Sequence, residues 1–148
     1  MLKFYEDYTV DSEHVTPART IGPEDVRQFA DVTGDHHRLH LDAEFARGTM
    51  FGEPIGHGLL GLSLVNGLAY GSIIDPDYVM AFLGLEWKFV RPIRMGATVH
   101  AIVRIAERRP TSHPDRGIVR EAIRLVDAHG DPLQTGEFTF LVRRRPAL

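Results

Sequence analysis

The chain has 148 residues, and a compact domain usually takes roughly 100 to 200, so the length predicts one domain over 1–148 and leaves no room for a second. Hydrophobic residues at 43% and charged residues at 25% are globular proportions, which exclude wholesale disorder and a fibrous architecture. Seventeen Lys and Arg against twenty Asp and Glu give a net charge of −3, with no long-range pull on nucleic acid or an anionic membrane, and the absence of Cys excludes disulfides, thiolate metal sites and a cysteine nucleophile.

In chain order, Glu6 and Asp7 interrupt the apolar stretch that a signal peptide needs, so a cytoplasmic protein is expected. Val15 to Arg19 reads as a short extra strand. Gly22-Pro23-Glu24-Asp25 is a helix start, with Pro at the first helical position and acids in the positive first turn. That helix should stop at Gly34, and a short helical turn follows from Asp42 to Arg47. From His57 to Tyr70 no residue is charged, and Leu, Val or Ala fall on every side of the helical wheel. A helix apolar all round is expected to be buried all round, with Ser63 and Asn66 hydrogen-bonded inside the core. It falls short of the roughly 20 residues of a membrane span.

Four strands are expected after it: Tyr78 to Val90, Ala97 to Glu107, Gly117 to Ala128 and Leu133 to Arg143. Val99, Ala101, Val103 and Ile105 alternate with polar neighbours, as do Phe138, Phe140 and Val142. Trp87 and Phe89 read as packing residues. Pro and Gly turns separate the strands with no helix between them, so the pairing should be antiparallel. The prediction is an α+β fold, a curved antiparallel sheet wrapped around one long buried helix.

The densest polar cluster is Thr33-Gly34-Asp35-His36-His37-Arg38-Leu39-His40-Leu41-Asp42, directly after the first helix. Across a tight loop Asp35 and His40 can reach one water or one substrate atom, which is what a carboxyl and imidazole acid/base pair requires. Asp35 lies at the negative end of the first helix, which favours a proton-donating role. The alternative is a solvated loop whose polar side chains make local turns. Further on, Pro54-Ile55-Gly56-His57-Gly58 opens the apolar helix, whose first N–H groups lack intrahelical partners and can receive a developing oxyanion. Gly58 would let a carbonyl approach the backbone without a side chain in between.

The order Phe29-Ala30, Thr33-Gly34-Asp35, His40-Leu41-Asp42, Phe51 and Pro54-Ile55-Gly56-His57-Gly58-Leu59-Leu60 resembles the signature of the MaoC-like dehydratases, or R-specific enoyl-CoA hydratases. The run Leu85 to Thr98, with Phe89, Arg91-Pro92-Ile93 and Gly96, is similar to the family's strand, turn and strand after the central helix. The resemblance implies a hot-dog fold and hydration of a trans-2-enoyl thioester to the R-3-hydroxyacyl thioester, or the reverse dehydration. It implies that Asp35 and His40 are the acid/base dyad and Gly58 the oxyanion position, with His57, Gly56 and Arg38 contacting substrate. No metal and no cofactor is implied beyond the coenzyme A of an acyl-CoA substrate; an acyl-carrier thioester is the other substrate form. A homodimer or a dimer of dimers is expected from the family and from the strand edge such a sheet leaves open. The chain departs from the family between the dyad residues, where His36-His37-Arg38-Leu39 replaces the usual pattern of any residue, Asn, Pro and an aliphatic. This bears on substrate range more than on reaction type.

Three rival readings stand beside this one. His36, His37, His40 and Asp42 offer four metal-ligand types in seven residues. A hot-dog thioesterase would use a carboxylate on or near the central helix, and His57 to Tyr70 contains none. A non-catalytic acyl-thioester-binding domain would keep only the cavity. Arg143-Arg144-Arg145 could attract the phosphates of coenzyme A or form a solvated end of an edge strand.

Overall fold

The computed structural model describes residues 1–147. Its order is β1 (Glu13–Val15), β2 (Arg19–Thr20), α1 (Pro23–Thr33), α2 (Arg38–Leu41), α3 (Ala43–Arg47), α4 (Gly58–Ala69), β3 (Val79–Phe89), β4 (Thr98–Pro110), β5 (Arg116–Asp127) and β6 (Pro132–Arg143). The strands form one antiparallel sheet in the order β1-β4-β5-β6-β3, with β2 also on β4. The inner face of the sheet supplies Val99, Ala101, Val103, Ile105, Val119, Ile123, Leu125, Phe138, Phe140 and Val142, which pack with Leu60, Val65 and Ala69 of α4. This is the hot-dog arrangement: alternation buries one face of β4, β5 and β6, and the apolar helix packs in the concavity of the sheet.

The start and stop of α1 follow local chemistry. Asp25 accepts from the Gly22 N–H at 2.9 Å, and Gly34, at φ 79°, ends the helix in the left-handed region. The single strand expected over Val15 to Arg19 is instead two short segments on β4. Pro17 has no N–H to give the ladder, and the Thr16 hydroxyl fills the gap by accepting from the Ala101 N–H at 2.9 Å. The short helix α2, which carries His40, is an element the sequence pattern does not show.

Two further expectations are corrected. Helix α4 is buried on one side only: Leu60, Gly61, Val65 and Ala69 are buried, whereas Leu59 is 56% exposed. The curved sheet of one chain reaches around only half of the helix. Ser63 accordingly lies on the exposed side, donating to the Leu59 carbonyl at 2.8 Å. Phe89 is likewise 55% exposed at the free edge, while Trp87 packs on Phe138 with ring centroids 5.3 Å apart. At the chain ends, Arg144 and Arg145 pair with Glu6 and Asp7 at 3.0 and 2.6 Å, which commits these two arginines to the N-terminal segment.

Glu121 breaks the apolar alternation of β5. It is buried with 1% exposure, and its Oε1 has no hydrogen-bond partner among the described residues. Nearby Tyr8, fully buried, also has an unpartnered hydroxyl, and its pKa is raised, first by burial and then by the Glu121 charge. Burial pushes the Glu121 carboxyl up to about 8 from its ordinary 4.5. Between those values the folded chain holds a proton that the unfolded chain has released, so stability falls as pH rises through that window and levels off above it. Glu121→Gln should flatten this slope and exceed the wild type at pH 9 by on the order of a few kcal/mol, read from urea unfolding at several pH values.

Candidate active site

The loop after α1 is shaped by its own side chains. Gly34 turns the chain, the Asp35 carboxylate accepts from the His37 N–H at 3.2 Å, and His37 Nδ1 accepts from the Leu39 N–H at 3.0 Å to start α2. One turn later His40 is half-buried, and its Nδ1 donates to the Ile55 carbonyl at 2.8 Å. A carbonyl can only accept, so the proton of neutral His40 is on Nδ1 and Nε2 keeps its lone pair.

His57 precedes α4 and is buried with 2% exposure. Its Nε2 donates to the Asp35 backbone carbonyl at 2.9 Å, which leaves Nδ1 unprotonated and without a partner among the described residues. Its ring lies against that of His40, with centroids 3.9 Å apart and planes 32° apart, and Phe29 packs 4.9 Å away. The ligand-type atoms of Asp35, His40 and His57 lie within 4.8 Å of one another, so the side chains of Asp35 and His40 are brought together. Burial holds the His40 imidazole below its ordinary pKa; the Ile55 bond and the Asp35 charge oppose that, and His57 and His37 add to it.

A cavity of about 460 Å³ opens beside this cluster, lined by His40, Gly56, Gly58, Leu59, Phe89 and Gln134 among others. Gly58 and Leu59 line this cavity, and as the first residues of α4 their N–H groups have no intrahelical acceptor, the His57 carbonyl being taken by Leu60 and Gly61. A Cβ at Gly58 would stand 2.8 Å from the Phe89 ring, so the approach is kept bare. A groove of about 410 Å³ lies on the other side of His40, beside Arg27 and His36. A larger one, about 590 Å³, runs over the outer face of the sheet among Glu13, Arg104, Arg124 and Glu137, and contains none of these groups.

The other candidates fall as follows. Gly56 lines the cavity and donates its N–H to the Ile93 carbonyl at 2.7 Å. Arg38 forks onto Asp42 at 3.0 and 2.8 Å and stacks 4.7 Å over Phe45. His36 is exposed, His37 caps α2 and Asp42 caps α3, so the four-residue metal set is not brought together; the trio that could hold an ion is Asp35, His40 and His57. No carboxylate lies on α4. Residues the sequence did not flag are Gln134, whose amide donates to the Gly58 carbonyl at 2.9 Å, and Ile55, whose carbonyl orients His40. The first pairing spans 76 residues, and the second uses a main-chain atom, so neither leaves a local pattern.

Fold and site together define a hot-dog protein with a carboxylate and imidazole pair at the mouth of its central helix. Residues 7–123 match the family described as MaoC like domain, and the chain belongs to that family. It is 31% identical over 121 residues to Protein MaoC of Klebsiella aerogenes, covering 81% of this chain and 35% of that protein. To the (R)-specific enoyl-CoA hydratase of Aeromonas caviae it is 32% identical over 120 residues, covering 81% and 85%. Among solved structures, the monoamine oxidase regulatory protein from Archaeoglobus fulgius superposes with a TM-score of 0.89 at 30% identity, over 97% of this chain and 95% of that one.

His57→Phe keeps a ring beneath His40 but removes the donor to the Asp35 carbonyl. It should cost about 1 to 3 kcal/mol in urea unfolding. His36→Ala, at an exposed position, should stay within about 0.5 kcal/mol.

Proposed function

We propose that this protein is a hydro-lyase that adds water to a trans-2-enoyl thioester to give the R-3-hydroxyacyl thioester, or runs the reverse dehydration. The observation that carries the reading is the placement of Asp35 and His40, within reach of a single water, beside a cavity that also holds the free N–H groups of α4. The similarity to the (R)-specific enoyl-CoA hydratase of Aeromonas caviae supports the same reaction.

Hydration requires a water at C3, a proton at C2 and a partner for the enolate oxygen formed between them. His40, kept neutral by burial, accepts a proton from water through Nε2 while Asp35 orients that water. The C3–O bond forms, the C2=C3 pair moves toward the thioester, and the Gly58 N–H receives the oxygen; such a donor contributes roughly 3 to 4 kcal/mol in the transition state. A proton from the dyad then reaches C2, which restores both side chains. His57 is the support for this pair rather than a substrate contact. Gly56 lines the cavity proposed to take the acyl group, and Arg38, paired with Asp42 and stacked on Phe45, is proposed to meet a charged head group of coenzyme A or a carrier arm. Nothing in this chemistry needs a cofactor.

The working form we propose is a homodimer. The outer strand β3 exposes Phe82 at 46%, Leu83 at 51% and Leu85 at 43%, beside the uncovered side of α4. An apolar free edge of that length is suited to pairing with its copy. A monomer by light scattering at micromolar concentration would contradict this. No helix among the described residues is long and apolar enough to cross a membrane, and the proposed site of action is the cytoplasm.

Asp35→Asn and His40→Ala should each lower turnover of crotonyl-CoA by about 100- to 10,000-fold while acyl-CoA binding and thermal stability hold. The product should be the R-3-hydroxy thioester, and the acid limb of the rate profile should fall below pH 6.5, the ordinary imidazole value. An S product, or full activity of Asp35→Asn, would refute the mechanism. Activity abolished by a chelator and restored by zinc would assign Asp35, His40 and His57 to a metal instead.

A further inference from the structure

Gln134 is buried on β6 with 1% exposure and takes no part in the acid/base chemistry above. Its Oε1 accepts from Trp87 Nε1 at 2.9 Å, and its Nε2 donates to the Gly58 carbonyl at 2.9 Å. An indole N–H can only donate, so Trp87 decides which end of the amide faces it and aims the NH₂ group at the first turn of α4. Two glycines make room for this arrangement. A Cβ at Gly61 would stand 2.5 Å from both Gln134 Nε2 and Ile93 Cδ1, and one at Gly136 would collide with the Glu86 carbonyl and the Trp87 ring. Glycine is disfavoured inside a helix, and Gly61 occupies the second turn of α4, where alanine would otherwise be the better residue.

We infer that Gln134, oriented by Trp87, is a positioning residue for the oxyanion hole, holding the first turn of α4 and so the direction of the Gly58 N–H. The inference rests on the hydro-lyase reading. The Gly58 carbonyl and the Leu59 N–H belong to one peptide group, so a donor on that carbonyl strengthens the Leu59 N–H, whereas the Gly58 N–H, part of the His57 peptide, is governed through orientation alone. The same bond ties the first turn of α4 to the sheet, which fixes the direction of the Gly58 and Leu59 N–H groups. Charge on the thioester oxygen grows as the enolate forms, so this support acts more on the transition state than on the bound substrate.

The test uses Gln134→Met, which keeps length and bulk and removes the amide, and Trp87→Phe, which keeps Gln134 and frees its amide to turn. For Gln134→Met, measured at a temperature where the variant is fully folded, kcat for crotonyl-CoA should fall at least about tenfold with KM within about twofold. The infrared C=O stretch of bound, carbonyl-labelled butyryl-CoA should move back toward its free frequency. Trp87→Phe should shift both readings in the same direction by less, and it stands in should Gln134→Met fail to fold. Wild-type kcat and carbonyl frequency in a folded variant of either kind would overturn the inference, as would a loss of kcat that only tracks the unfolded fraction. Butyryl-CoA does not react, so a wild-type protein that polarises its carbonyl but never hydrates crotonyl-CoA would sink the hydro-lyase reading and leave the role of Gln134 supported. A wild type that binds neither thioester would overturn both.

Discussion

The hydrogen bond from His57 to the Asp35 backbone carbonyl, 2.9 Å long, joins the two halves of the site. His57 precedes α4, so the residue before the central helix also grips the loop that carries Asp35. Its buried ring then forms the floor for His40, whose other constraint is the Ile55 carbonyl. Both carbonyls accept only, so each imidazole is confined to one tautomer. The exposed Asp35 carboxylate is thereby held close to His40, which lines the cavity.

The rest of the fold serves that joint at some cost to stability. Gly58, Gly61 and Gly136 are positions where a Cβ would meet the Phe89 ring, the Gln134 amide or the Trp87 ring, so the helix start and the strand beside it are packed without side chains. Half of α4 and the outer strand β3 remain apolar and uncovered in one chain, a surface that a second copy can cover. Glu121 adds a buried carboxyl with an unpartnered oxygen to the opposite end of the helix-facing surface, a liability that grows with pH.

What could be read from the sequence follows from the range of the interactions involved. Helix α1 is bounded by residues whose preferences act locally, Gly22-Pro23 at one end and Gly34 at the other, and the long strands announce themselves by alternation. The closeness of Asp35 and His40 was suggested by their spacing, but the choice of that pair over His36 or His37 came from the family resemblance. Helix α2 is one turn long and owes its start to a histidine acting as a cap, which propensity does not reveal. The exposed side of α4 is hidden from the sequence, because composition reports that a helix is apolar, not whether its own chain can cover it. The buried Glu121 and the Trp87–Gln134–Gly58 chain are tertiary facts; their partners are far apart in sequence, and no periodicity encodes them.

The central claim is that Asp35 and His40 act on one water from one side of the double bond. The direct measurement is the relative stereochemistry of crotonyl-CoA hydration in D₂O, read by NMR of the 3-hydroxybutyryl product. Oxygen at C3 and deuterium at C2 delivered to the same face is the result this account predicts. Addition to opposite faces would require a second proton source across the cavity and would contradict it.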